Sequence, residues 1–134
     1  TNINSVYNCC HHAVPYMVQR QDGCIINISS IWGNVGASCE VGYSATKGAI
    51  NSFTKAIAKE LGPSQIRVNA IACGLIDTEM NAHLSKDEQD SFIEDIPLCR
   101  PGKPEEVADL CVYLASSGAG YLTGQVITLD GGLL

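Results

Sequence analysis

Residues 41–61 read VGYSATKGAINSFTKAIAKEL, with Ala45, Ala49, Ile50, Phe53, Ile57 and Leu61 at three- and four-residue spacings. That period marks one face of an α-helix and predicts a helix opening near Tyr43. Gly62-Pro63 follows and should end it. On either side lies a short apolar run rich in β-branched residues, CIINISS at 24–30 and IRVNAIA at 66–72. Each reads as a buried strand. Strand, helix and strand in that order predict parallel pairing through a right-handed crossover.

Working outward, Ile3, Val6, Tyr7, Cys10, Val14, Met17 and Val18 repeat with helical spacing over 3–20, and Pro15 should bend that helix. Asp22-Gly23 marks the turn into the first strand. Ser85, with Glu88 three residues later, predicts a capping box and a short helix over 86–95. Pro104, Glu105 and Glu106 make a favourable first helical turn, continued by VADLCVYLAS. QVITL at 125–129 reads as a third strand, and Asp130-Gly131-Gly132 turns out of it. The fold class is therefore α/β, a doubly wound parallel sheet of Rossmann-like type. Three strands make a thin sheet for that architecture, and the chain enters helical sequence at once from Thr1. Both features lead us to expect part of a larger domain.

Hydrophobic residues make up 46% of the 134 and charged residues 16%, which suits a globular interior and excludes a disordered tail. The net charge of −6 disfavours nucleic acid, whose binders carry a basic footprint. No run approaches the roughly 18 to 20 apolar residues that span a bilayer, so no membrane role is expected. The seven cysteines include no C-x-x-C pair. Their scatter points to a reducing, cytoplasmic setting without structural disulfides.

Tyr43 and Lys47 stand at i and i+4, on one face of the predicted helix. Alone, that spacing arises often by chance. Ser30 changes its weight, because it ends a predicted strand, where an α/β sheet presents groups to ligands. The intervening loop holds Gly33, Gly36 and Gly42. One hydroxyl at a strand end and a Tyr-Lys pair at the next helix start could converge on a carbonyl oxygen.

With these neighbours the chain resembles the C-terminal half of a classical short-chain dehydrogenase/reductase, in its 3-oxoacyl-[acyl-carrier-protein] reductase-like branch. The resemblance rests on TNINSVY, IINISSIWG, GYSATKGAINSFTKAIAKELGP, IRVNAIACGLIDTEM, PLCRPGKPEEVADLCVYLAS and YLTGQVITLDGG, in family order over nearly the whole chain. It implies an NAD(P)-dependent oxidoreductase interconverting a ketone and a secondary alcohol. Asn2, Ser30, Tyr43 and Lys47 match the family's catalytic tetrad, with Ser30 preferred over Ser29 by its 13-residue spacing to Tyr43.

The resemblance implies that Tyr43 gives a proton to the carbonyl oxygen or takes one from the alcohol. Lys47 would favour the phenolate and hold the nicotinamide ribose, and Ser30 would orient and polarise the carbonyl. Asn2 would keep the first helix locally open and hold a water that relays protons to Lys47. In ACGLIDTEM, Gly74, Ile76 and Thr78 match the family loop that holds the nicotinamide carboxamide. Cys73 stands where the family has proline, which leaves that loop less rigid. NADP is favoured over NAD by resemblance alone. The substrate is expected to be a small carbonyl or alcohol, possibly bound to a carrier protein. Candidate ligands for such a carrier are unclustered, since the basic residues are scattered and Cys24 and Gln65 stand at strand approaches. The helices 3–20 and 43–61 resemble those at the family's dimer interface, implying a homodimer or homotetramer.

The family's glycine-rich phosphate loop, T-G-x-x-x-G-x-G, matches nothing here, so the N-terminal cofactor-binding part is expected to be absent. The 134-residue polypeptide alone should therefore bind dinucleotide weakly or not at all; micromolar saturable binding in an NADPH fluorescence titration would overturn that expectation. CCHH at 9–12 is not expected to bind a metal, because consecutive helical residues point about 100° apart. His83 reads as a solvated loop residue, Arg100 and Lys103 as structural or rim charges. Trp32 either lines the substrate entrance or packs.

Overall fold

The strand Ile66–Cys73 (β2) forms the centre of the sheet, and its nearly unbroken apolar sequence suits burial on both faces. A computed structural model describes residues 2–79 and 85–134. In chain order it contains α1 (Asn2–Arg20), β1 (Gly23–Ser30), α2 (Trp32–Val35), α3 (Val41–Leu61), β2, α4 (Lys86–Glu94), α5 (Pro104–Ala115) and β3 (Val126–Leu129). The strands lie in the order β1-β2-β3 and pair in parallel. Gly23 pairs with Ile66 and Ser30 with Cys73, so β1 and β2 run side by side for their full length.

Strand alternation sends successive side chains to opposite faces. On one face Ile66 and Val68 meet Ala58 and Leu61 of α3, with Val14, Met17 and Val18 of α1 against them. On the other, Ile71 meets Leu114 of α5 and Ala119, with Ile26 and Ile127 alongside. Helices thus cover both faces, as a doubly wound sheet requires. Each fully buried Ile or Leu contributes about 1.5–3 kcal/mol by leaving water. Arg67 crosses to α5 and donates to the carbonyls of Leu114 (2.6 Å) and Ser116 (3.4 Å), a cation placed at a helix C-terminus. Buried Asn69 donates to Leu122 O and accepts from Gln125 N–H, fixing the entry to β3.

α1 runs through Pro15 as one helix. Two local features differ from the sequence reading. α3 opens at Val41, two residues before Tyr43. The loop after β1 contains the short helix α2, whose four residues are too few to show a period. α3 ends at Leu61 with Gly62 as its cap, as the Gly62-Pro63 pair led us to expect; Gly62 keeps helical dihedrals, and Gly62–Ser64 continues as a 3-10 turn. Proline fits such a first turn because its missing N–H would have no partner there. Gln65, with φ of 62°, makes the left-handed reversal into β2. His83 lies outside the described residues.

Candidate active site

β1 delivers Ser29 and Ser30 to the carboxyl end of the sheet, and both are buried. The two hydroxyls have different partners. Ser29 Oγ donates to the backbone carbonyl of Lys47 (3.3 Å), tying β1 to α3. Ser30 Oγ accepts from the backbone N–H of Trp32 (3.2 Å), so its own proton stays available to a ligand.

α3 places Tyr43 and Lys47 one turn apart, both half-buried, with Lys47 Nζ 5.6 Å from the centre of the Tyr43 ring. Lys47 Nζ also donates to the carbonyl of Ile28 (3.0 Å), reaching from the helix to the strand. Partial burial pushes the Lys47 ammonium below the ordinary lysine range, and Cys73 nearby opposes that shift. Burial raises the Cys73 thiol, while the positive charge of Lys47 pulls it back. Among the described residues no hydrogen bond joins Ser30 to Tyr43.

α2 sets the spacing of these groups. A Cβ on Gly33 would fall 2.7 Å from the backbone carbon of Lys47, so the α2 backbone lies directly against α3 at the lysine. Asn51 donates to Asn34 Oδ1 (2.9 Å) and ties α3 to α2 a second time.

Asn2 reaches this region through Thr46. Its Nδ2 donates to Thr46 Oγ1 (3.2 Å), and Thr46 Oγ1 donates to Tyr43 O (2.8 Å). Its backbone carbonyl accepts from Ser5 Oγ (2.8 Å). Thr46 was not among the expected site residues, although a threonine bonding three residues back in a helix is a recurrent pattern.

The loop after β2 is anchored from two sides. Gly74 N–H donates to Leu129 O (2.9 Å), and a Cβ on Gly74 would lie 2.7 Å from Asp130 Cβ. Ile76 bridges Gly102: Gly102 N–H donates to Leu75 O (2.9 Å) and Asp77 N–H to Gly102 O (2.8 Å). Thr78 lies farther along this loop, exposed, with Oγ1 3.5 Å from Ile76 O.

The Gly102 segment is itself fixed by an ion pair. Arg100 binds Glu106 through two hydrogen bonds of 2.8 and 2.6 Å, and Glu106 also accepts from Lys103 N–H (2.8 Å) at the start of α5. Arg100 is thus structural; Lys103 contributes its backbone. These bonds hold the Glu106 carboxyl down at about 2, from an ordinary 4.5. A depressed carboxylate stabilises the fold above its unfolded-state value, and the benefit disappears as pH falls through the folded value. Glu106→Gln should therefore lower the melting temperature slightly near neutral pH. The difference from wild type should close between pH 4.5 and about 2, and shrink in high salt because the pair is exposed.

In the CCHH run, Cys10 turns inward while Cys9, His11 and His12 are exposed, as the helical rotation dictates. His11 stacks on Tyr7, with ring centres 6.0 Å apart. Trp32 meets Phe92 of α4 edge to face, 5.9 Å between centres.

The profile of the family described as Enoyl-(Acyl carrier protein) reductase matches residues 1–134. An uncharacterized oxidoreductase, YmfI, of Bacillus subtilis is 44% identical over 98% of this chain and 54% of its own length. The 3-oxoacyl-[acyl-carrier-protein] reductase FabG of Chlamydia trachomatis is 44% identical over 99% of this chain and 54% of its own. The crystal structure of a 3-oxoacyl-[acyl-carrier protein] reductase from Brucella melitensis superposes with a TM-score of 0.93 at 39% identity, over 98% of this chain and 50% of that one. The chain spans about half the length of the curated relatives it matches. By these matches the chain belongs to the short-chain dehydrogenase/reductase family and is 3-oxoacyl-[acyl-carrier-protein] reductase-like.

Proposed function

We propose that this chain carries the proton-transfer half of an NAD(P)-dependent reductase that converts a 3-oxoacyl thioester to the 3-hydroxyacyl thioester. The observation that carries the reading is Lys47, which faces the Tyr43 ring and is bonded to Ile28, two residues before Ser30. One cation thereby links the phenol to the strand end that presents a free serine proton.

Ser30 donates to the substrate carbonyl and orients it, because its acceptor side is already engaged by Trp32 N–H. Tyr43 delivers the proton to the same oxygen as negative charge develops there. Lys47 offsets the charge left on the phenolate. Partial burial lowers its basicity and so makes the ammonium a readier proton donor. Asn2, through Thr46, holds the first turn of α3 and with it Tyr43.

The residues present fit the nicotinamide end of a dinucleotide. Lys47 uses one of three N–H donors on Ile28, leaving two for ribose hydroxyls. Gly74 lies too close to Asp130 to carry a side chain, and along the same loop Ile76 and the exposed Thr78 are the residues assigned to the carboxamide. NADP, favoured over NAD by family resemblance, supplies the hydride when bound.

The protein acts in the cytoplasm, in line with seven free cysteines, three of them exposed. Exposed Tyr7 and Tyr16 on α1 and Val112 and Tyr113 on α5 support a homodimer or homotetramer. Among the described residues no helix is long and apolar enough to cross a membrane.

The two serines give the discriminating experiment. Ser30→Ala in the intact protein should lower kcat about 10²-fold with the fold unchanged, by loss of a donor at the developing oxyanion. Ser29→Ala should instead cost about 1 kcal/mol of stability, by loss of the bond to Lys47 O, with a much smaller change in kcat. The reverse pattern would assign the chemistry to Ser29.

A further inference from the structure

We propose that Asn51 is a positioning residue for the reduction: paired with Asn34, it clamps α2 along α3 and so sets the placement of Ser30 relative to Tyr43 and Lys47. The clamp rests on the reading above, in which these three side chains act on one carbonyl.

Asn51 stands one helical turn after Lys47 on α3, and Asn34 directly follows Gly33 on α2. α2 therefore meets α3 at two successive turns. At the first, Gly33 lies against the Lys47 backbone; at the second, Asn51 Nδ2 donates to Asn34 Oδ1 at 2.9 Å. At the start of α2, Trp32 N–H donates to Ser30 Oγ (3.2 Å). Asn34 Nδ2 donates in turn to Thr128 Oγ1 (3.4 Å), one residue before Leu129, whose carbonyl anchors Gly74. One short helix thus carries contacts to the serine, to the Lys47 turn and to β3.

Folding alone does not favour an asparagine at this position. Asn51 is only 6% exposed, and its Oδ1 is buried without a hydrogen-bond partner among the described residues. Such an orphaned acceptor costs at least as much stability as one neutral hydrogen bond returns. Alanine would remove that cost and gain in helix propensity. Asn34 is exposed, so its oxygen would turn to water without penalty. What alanine cannot replace is the tie to α2.

The test uses the intact protein and four variants: Asn51→Ala, Asn34→Ala, the double variant and Asn34→Asp. Asn51→Ala should lower kcat for a 3-oxoacyl thioester about ten- to hundredfold through misplacement of reacting groups. KM should stay within about threefold, since the loss falls on the transition state. The melting temperature should equal or exceed that of wild type. The double variant should lose no more kcat than Asn51→Ala, because both changes remove one bond. Asn34→Asp keeps an acceptor for Asn51 and should retain most of the wild-type kcat. Without substrate, hydrogen exchange of the Trp32 and Gly36 amides should quicken about five- to tenfold in Asn51→Ala but not in Asn34→Asp.

Wild-type kcat in Asn51→Ala, additive losses in the double variant, or equal losses in Asn34→Asp and Asn34→Ala would each overturn the clamp. So would a kcat loss in Asn51→Ala matched by a lower melting temperature, which makes Asn51 a packing residue, or unchanged exchange at α2. Wild type that leaves a 3-oxoacyl thioester unreduced refutes the proposed reaction, and the exchange of the α2 amides then decides the clamp by itself.

Discussion

Tyr43→Phe in the intact protein should lower kcat for carbonyl reduction by about 10²- to 10⁴-fold, the usual contribution of a positioned acid. KM should change little, because the ring and its packing remain. The mutation removes one oxygen and one proton from a residue whose backbone is held by Thr46. Lys47 would remain bonded to Ile28, so the site should keep its shape. A fall in both kcat and melting temperature would point to lost packing; full turnover would show that the proton comes from elsewhere.

Gly33→Ala should be nearly as severe for a different reason. The new Cβ would sit 2.7 Å from Lys47 C and 2.9 Å from Lys47 O and Gly48 N, all backbone atoms that no rotamer change can clear. Overpacking of this kind costs about 1–3 kcal/mol. Relief requires α2 and α3 to separate, which moves Ser30 and Trp32 away from Lys47 and Tyr43. A displacement near 1 Å at a reacting group can cost about 10²-fold in rate. Gly42→Ala is the control. Nothing lies within 4 Å of its added Cβ and its φ is not positive, so it should leave the fold unchanged or slightly more stable. Melting curves and kcat for the two variants test the contrast.

Much of this arrangement could be read from the sequence because it depends on periodicity. The apolar spacing in 41–61 located α3, and two β-branched runs located β1 and β2 with errors of one residue. The Ser85–Glu88 box marked the start of α4, since capping chemistry is local. Resemblance to a known family, not periodicity, singled out Ser30 over Ser29. The distinct partners of the two hydroxyls then supplied a physical difference that spacing could not.

What remained hidden depends on contacts between distant residues. Trp32 and Phe92 belong to different elements, and no local pattern pairs them. Gly33 stood in the sequence as one of three loop glycines, whereas its lack of a side chain permits α2 to touch α3. No local pattern pairs Asn2 with Thr46, whose hydroxyl passes the contact on to the Tyr43 carbonyl. Gly62 caps α3 as the sequence suggested, whereas nothing local marked Gln65 as the left-handed reversal into β2.

The central claim is that Ser30, Tyr43 and Lys47 serve the reduction of a carbonyl. The direct measurement offers the intact protein NADPH with a 3-oxoacyl thioester and, separately, the matched 2-enoyl thioester, and identifies the products. The 3-oxo compound should be reduced to the 3-hydroxyacyl thioester and the enoyl compound left unchanged. Reduction of the carbon–carbon double bond, or consumption of neither substrate by folded protein, would contradict it.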